Sequence, residues 1–158
     1  MTLRISILAG MALSVALGSA LAAGGGGGRS GPDVSEMHAL PGYKQALQAI
    51  KEERWPQAIE LLDKHVWRND RDADGHNFLA FAYRKSGNLD LAFKHYKRAL
   101  VIDPEHRGAH EYIGEAYLMA GQRQQAEQHL KVLAGLCAAS CEEYRDLAEA
   151  IAQKTASK

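Results

Sequence analysis

This chain carries no surplus of charge: Lys and Arg together number 19, Asp and Glu together 19, and the formal net charge is zero. That balance excludes the basic footprint of a nucleic-acid or anionic-membrane binder. Cysteine is scarce. Only Cys137 and Cys141 occur, and they lack the two-residue gap of thioredoxin-type redox sites or c-type haem attachment. No Ser/His/Asp set or nucleophile elbow stands at usable spacing, which points away from an enzyme. The glycine run Gly24–Gly28 lacks the lysine, the preceding strand and the following helix of a phosphate cradle. It reads instead as a flexible linker over residues 23–38.

Metal chemistry is equally thin in the sequence. Asp70-Arg-Asp72-Ala-Asp74-Gly75 opens like a calcium loop. Counting from Asp70, however, Asn77 stands where an apolar residue is needed and Phe81 where a bidentate Glu is needed. The expectation is an acidic turn whose carboxylates cap the next helix. The seven histidines give no ligand set. His106 and His110 share an i, i+4 spacing, and a pair is too few for zinc. No metal and no cofactor are expected.

What is present begins with a leader. Arg4 precedes the uncharged apolar run Ile5–Leu21, and Ala20-Leu21-Ala22 has the small-x-small form of a cleavage site. Residues 1–22 are expected to be a signal peptide, with an uncleaved membrane anchor as the alternative. The expected location is outside the cytoplasm, in the periplasm, with no membrane attachment after cleavage. No cysteine at the cleavage point serves lipoprotein attachment. In an exported chain Cys137 and Cys141 are expected to form a disulfide. A thiol pair used for redox or metal binding is the alternative, since a helix N-terminus lowers a thiol pKa.

Beyond the linker, residues recur at a step of 34. Ala58, Ala92 and Ala126 are so related, as are Tyr83 and Tyr117, Gly87 and Gly121, His76 and His110, and Leu62, Tyr96 and Leu130. A period of this size marks stacked two-helix units, none able to bury its apolar face alone. Tyr43, Ala46, Leu47 and Ile50 recur with helical spacing, as do Phe78, Leu79, Ala82 and Tyr83. Pro56 suits a first helical position, Gly87 a left-handed helix ending, and Asp103-Pro104 a stop. Ser140-Cys141-Glu142-Glu143 has the form of a capping box before a last helix carrying Tyr144, Leu147, Ala148 and Ile151.

The unit from Ala73 to His106 closely resembles a tetratricopeptide repeat, with Leu79, Ala80, Tyr83, Gly87, Leu89, Ala92, Tyr96, Ala99 and Pro104 at the pattern positions. Residues 107–140 keep Ile113, Gly114, Tyr117, Gly121, Ala126 and Leu130 but lose the final Pro. Residues 39–72 form a degenerate unit, with Ala46, Trp55, Ala58 and Leu62 kept and Glu53 where Gly is usual. The resemblance implies an all-α, right-handed α-solenoid of three tetratricopeptide helix pairs plus a C-terminal capping helix over 141–154 and a tail over 155–158. It also implies close helix crossings at Ala92 and Ala126 and fillers at Tyr96, Tyr83 and Tyr117. The expected function is a non-catalytic scaffold that holds a peptide or helix of a partner protein on its inner face. Carried over by register, that face comprises Tyr43, Leu47, Asn77, Phe78, Phe81, Arg84, Tyr112, Glu115 and Leu118. The alternative is a self-associating module, a homodimer formed through the apolar ends of a short array. The Lys, Asn and Arg clamp that some members use for chaperone carboxylates is absent, since Tyr43, Leu47, Phe78, Gly108 and Tyr112 stand at its positions.

Overall fold

Helix pairs follow one another along the chain because turn residues interrupt each amphipathic run before it can lengthen. The computed structural model describes Ser35 and residues 38–156, so the leader over 1–22 and nearly all of the glycine linker lie outside the described residues. The helices are α1 (Pro41–Lys51), α2 (Trp55–Arg68), α3 (Ala73–Lys85), α4 (Leu89–Ile102), α5 (Arg107–Met119), α6 (Arg123–Cys137) and α7 (Glu142–Ala156). Among the described residues there is no strand, and no helix is long and apolar enough to cross a membrane. The fold is an all-α solenoid.

The turns repeat in atomic detail. At the ends of α1, α3 and α5 the N–H of Arg54, Asn88 and Gln122 donates to the carbonyl of Ala49, Tyr83 and Tyr117, at 2.8, 2.9 and 2.8 Å. This six-to-one bond closes a helix around a left-handed residue. Gly87 (φ 87°) and Gly121 (φ 73°) fill that position in the later units, and Glu53 (φ 54°) fills it in the first. The following helices are capped individually. Asp72 Oδ1 accepts the Gly75 N–H at 3.0 Å, Asn88 Oδ1 accepts that of Leu91 at 3.1 Å, and His106 Nδ1 accepts that of Ala109 at 3.2 Å. The acidic turn is thus the helix cap that the sequence suggests.

Each junction has its own core. Tyr43, Ala46, Leu62, Val66 and Leu79 join α1, α2 and α3. Ala80, Ala92, Tyr96, Ile113 and Ala116 join α3, α4 and α5. Leu118, Ala126, Leu133, Leu147 and Ile151 join α5, α6 and α7. Every core therefore takes residues from one helix pair and from the first helix of the next, and α7 supplies that helix for the last pair. Ala92, Tyr96 and Ala126 are fully buried, while Tyr83 and Tyr117 are half-buried at the edges of these clusters.

The α6–α7 turn departs from the sequence expectation. Cys137 and Cys141 form a disulfide with their Cα atoms 5.7 Å apart, and Ala138 and Ala139 between them are both left-handed (φ 49° and 57°). This tight reversal aims Ser140 backward, so its Oγ–H donates to the Cys137 carbonyl at 2.7 Å. Glu143 faces Arg107, 3.6 Å away. The capping box therefore does not form: the turn that joins the cysteines redirects both of its side chains.

Two substitutions test the packing and the turns. A Cβ on Gly114 would lie 2.6 and 2.7 Å from the two methyl carbons of the fully buried Leu147. Gly114→Ala is expected to destabilise by about 1–3 kcal/mol, and Leu147→Ala in the same chain to remove the clash. Glu53→Gly is expected to stabilise by roughly 0.5–1 kcal/mol, because it removes a left-handed L-residue costing about 1–2 kcal/mol and adds part of glycine's chain entropy. Urea unfolding of both variants checks the two signs.

Candidate functional site

The first helices of the pairs form a layer, with α3 touching α5 and α5 touching α7. Aromatic side chains run across it. Trp55 meets Phe81 edge-on with centroids 6.0 Å apart, and Phe81 meets Tyr112 at 5.1 Å. Lys85 Nζ lies 5.9 Å from the Trp55 ring and 5.8 Å from the Phe81 ring. Such cation–aromatic contacts hold a charged head near an apolar surface. Leu47 and Phe78 are half-buried beside this row and lie against the first core.

Arg84 has a different role from the one its register position suggests. It is only 7% exposed. Its guanidinium carbon sits 5.2 Å from the Phe81 centroid and 5.5 Å from that of Tyr112. Its Nε–H donates to Tyr96 Oη at 3.3 Å, and it pairs with Glu115. Tyr96 fills the core beneath, and its phenol needs a partner there. Arg84 supplies it and so serves the fold as much as the face. Tyr43 is likewise withdrawn: it is 3% exposed, and the His38 ring stacks on it at 4.3 Å, nearly parallel. Leu118 is 6% exposed and belongs to the last core. One edge of it lines a depression of about 340 Å³ together with Arg84, Glu115, Met119, Ala150, Gln153 and Lys154.

Two features of the face have unmet electrostatic demands. Asn77 is 3% exposed, and its Oδ1 has no hydrogen-bond donor. Buried oxygens without a donor are uncommon. Glu111 is 8% exposed, and burial, together with Glu115, Asp146 and Glu143, pushes its carboxyl up to about 8, against a smaller opposing effect of Arg84. Glu111 therefore keeps its proton near neutral pH, as the acidic neighbours at the C-terminal end of the face require.

The sequence reading passes over the pairing of the histidines. His76 Nε2–H donates to the Asp70 carbonyl (3.3 Å), which leaves Nδ1 to accept from His95 Nδ1–H at 3.0 Å. One step of 34 later, His110 Nε2–H donates to the Pro104 carbonyl (3.0 Å) and His129 Nδ1–H donates to His110 Nδ1 at 2.8 Å. His95 and His129 stack on Tyr83 and Tyr117, each at 5.7 Å. The signal was available, since His95 and His129 also stand one repeat apart. The sequence gives no hint that partners 19 residues apart would meet.

These features belong to a short helical-repeat solenoid whose units share one set of turns, crossings and cores. The chain contains a tetratricopeptide repeat: residues 73–106 match the family model described as Tetratricopeptide repeat. No curated protein matches the chain in sequence. Solved structures do match in fold. The type III secretion chaperone SycD of Yersinia enterocolitica, in complex with a peptide of the translocator YopD, is similar at 19% identity with a TM-score of 0.65, over 80% of this chain and 93% of that one. The second TPR domain of human RPAP3, in complex with an HSP70 peptide, is similar at 17% identity and TM-score 0.66, over 78% and 98%. The TPR2B domain of yeast Sti1, in its Hsp70 complex, is similar at 17% identity and TM-score 0.66, over 79% and 98%.

The histidine pairs set a pH dependence. Burial first, and the neighbouring imidazole second, push His95 and His129 down to about 4, against about 6.5 in an unfolded chain. Their contribution to stability is complete above about 6.5 and is lost as pH falls through about 4. The melting temperature is expected to drop across that window. His95→Gln with His129→Gln should flatten the drop, as thermal melts at a series of pH values would register.

Proposed function

We propose that this chain is a non-catalytic interaction scaffold that holds a segment of a partner protein against the inner layer of α1, α3, α5 and α7. The observation that carries the reading is the row Trp55–Phe81–Tyr112, flanked by Lys85. Half-buried aromatics provide contact area with little entropy to lose. The acidic side chains Glu115, Glu143 and Asp146 around the protonated Glu111 favour a guest with a basic residue at that end. SycD and the second TPR domain of RPAP3, similar in fold, are each described as bound to a peptide. The proposed location is outside the cytoplasm, in the periplasm, supported by the leader-like residues 1–22 and by the disulfide between Cys137 and Cys141.

Self-association is the second reading. Leu40, 49% exposed, lines a depression of about 440 Å³ with Leu61 and Lys64, and Trp67 on α2, 84% exposed, lines another of about 450 Å³ that also includes Lys64. Light scattering separates it: a monomer at micromolar concentration that becomes a dimer only with Trp67 intact would favour this face.

The inner-face reading is tested by a photo-crosslinking residue placed at Phe81 and, as control, at Arg98 on α4. A discrete adduct from position 81 that disappears on Tyr112→Ala, with folding unchanged by circular dichroism, is the expected outcome. Equal labelling from both positions would move the site off the inner layer.

A further inference from the structure

The turn that leads into α3 gathers metal-ligating side chains that the sequence keeps far apart. Asp72 is fully buried. Its Oδ2 accepts from His65 Nε2–H at 2.6 Å, and its Oδ1 accepts from the Gly75 N–H at 3.0 Å. Asp74, two residues on, accepts from His106 Nε2–H at 3.0 Å. His38 comes from before α1 and points its Nε2 at the Asp72 carboxylate, 3.2 Å from one oxygen and 3.1 Å from the other. Donor atoms of His38, Asp72 and Asp74 all lie within 4.8 Å of one another.

We propose that His38, Asp72 and Asp74 bind a first-row divalent transition cation, with Zn²⁺ as the reference ion. Four observations support a built site rather than a chance cluster. The near-equal distances from His38 Nε2 to both Asp72 oxygens describe a nitrogen facing the mouth of a carboxylate, not a single directed hydrogen bond. Each carboxylate also has its own orienting imidazole, His65 for Asp72 and His106 for Asp74. The His106 tautomer is fixed, because its Nδ1 already accepts the Ala109 N–H at 3.2 Å. Outer partners of this kind set the direction of metal-binding groups. The His38 ring is held in plane by stacking on Tyr43 at 4.3 Å with an interplanar angle of 6°. Finally, Gly75 leaves the room: a Cβ there would come within 2.8 Å of Asp72 Oδ2 and 3.0 Å of His65 Cδ2.

The chemistry selects the class of ion. Nitrogen and carboxylate ligands sit about 2.0–2.2 Å from Zn²⁺, so two ligands on opposite sides of it are about 4.4 Å apart at most. Small side-chain rotations bring the donors inside that limit. An imidazole with two carboxylates suits zinc and its transition-metal neighbours, whereas calcium and magnesium favour all-oxygen shells. Each carboxylate oxygen that accepts one hydrogen bond still has lone-pair capacity for an ion. A bound cation would tie the segment at residue 38 to the α2–α3 turn and so staple the degenerate first repeat. His38, Asp72 and His106 are successive members of one register position, 34 residues apart, so the repeat itself brings them to one edge.

Titration calorimetry of the untagged full chain with ZnCl₂ tests the proposal, with melts recorded with and without the ion. One Zn²⁺ per chain and a higher melting temperature are expected. His38→Ala or Asp74→Asn should abolish binding or weaken it by more than tenfold, while circular dichroism of the metal-free variants stays like that of the parent. His106→Gln should weaken it by about 10–100-fold, as loss of an orienting partner does. His95→Ala with His129→Ala, which removes the paired histidines elsewhere, should leave the affinity unchanged. Absence of Zn²⁺ binding, full affinity in His38→Ala, or loss of binding in the His95/His129 variant would each overturn the assignment.

Discussion

The close approach of helices across alanine and glycine is the constraint on which the rest of the molecule depends. Ala46, Ala58, Ala80, Ala92, Ala116 and Ala126 are all fully buried, and Gly114 admits Leu147 where no Cβ would fit. Small residues contribute little apolar area themselves. They let larger neighbours such as Leu62, Tyr96 and Leu133 reach across and bury theirs. Because each core also takes residues from the next unit, no helix pair is self-sufficient. The array therefore needs a terminating helix, and α7 occupies that place with Leu147 and Ile151. In a one-dimensional stack of this length every junction is a large fraction of the whole.

How much of this was legible in the sequence depended on whether register or local chemistry set the outcome. The step of 34 located the crossings and the left-handed turns, and it flagged Glu53 as the residue standing in glycine's place. There the backbone holds its shape and the side chain tolerates it. The capping box at Ser140 is the opposite case. A four-residue motif promised local hydrogen bonds, but the Cys137–Cys141 turn spends two alanines in left-handed conformations and turns Ser140 away. A covalent constraint across five residues outranks a cap whose replacement costs typically about 1 kcal/mol.

The inner face was legible as a place but not as a division of labour. Register puts Arg84 and Tyr43 on that face. Neither position reveals that the Tyr96 phenol below will claim the Arg84 guanidinium, or that His38 will cover Tyr43. Such demands arise only when layers are stacked, because they come from polar atoms at the far ends of core side chains. They also explain why the face is firm. Arg84 lies over Phe81 and Tyr112 and pairs with Glu115, so the aromatic row rests on side chains already fixed by the core. A preordered surface of this kind loses less entropy when a guest arrives.

Repeat geometry also explains where chemistry can accumulate in such a fold. A solenoid brings equivalent positions of successive units to the same edge, whatever residues occupy them. Where the residues are alike, as at His76 and His110 with His95 and His129, the same pair is built twice. Where they differ, as at His38, Asp72 and His106, unlike groups are brought side by side, and donors can meet carboxylates across a junction. The backbone requirement at the position is modest: Asp72 and His106 both cap the helix that follows. That leniency frees the residue type for other uses. The repeat therefore supplies proximity as a by-product of stability, and divergence between units turns that proximity into distinct sites.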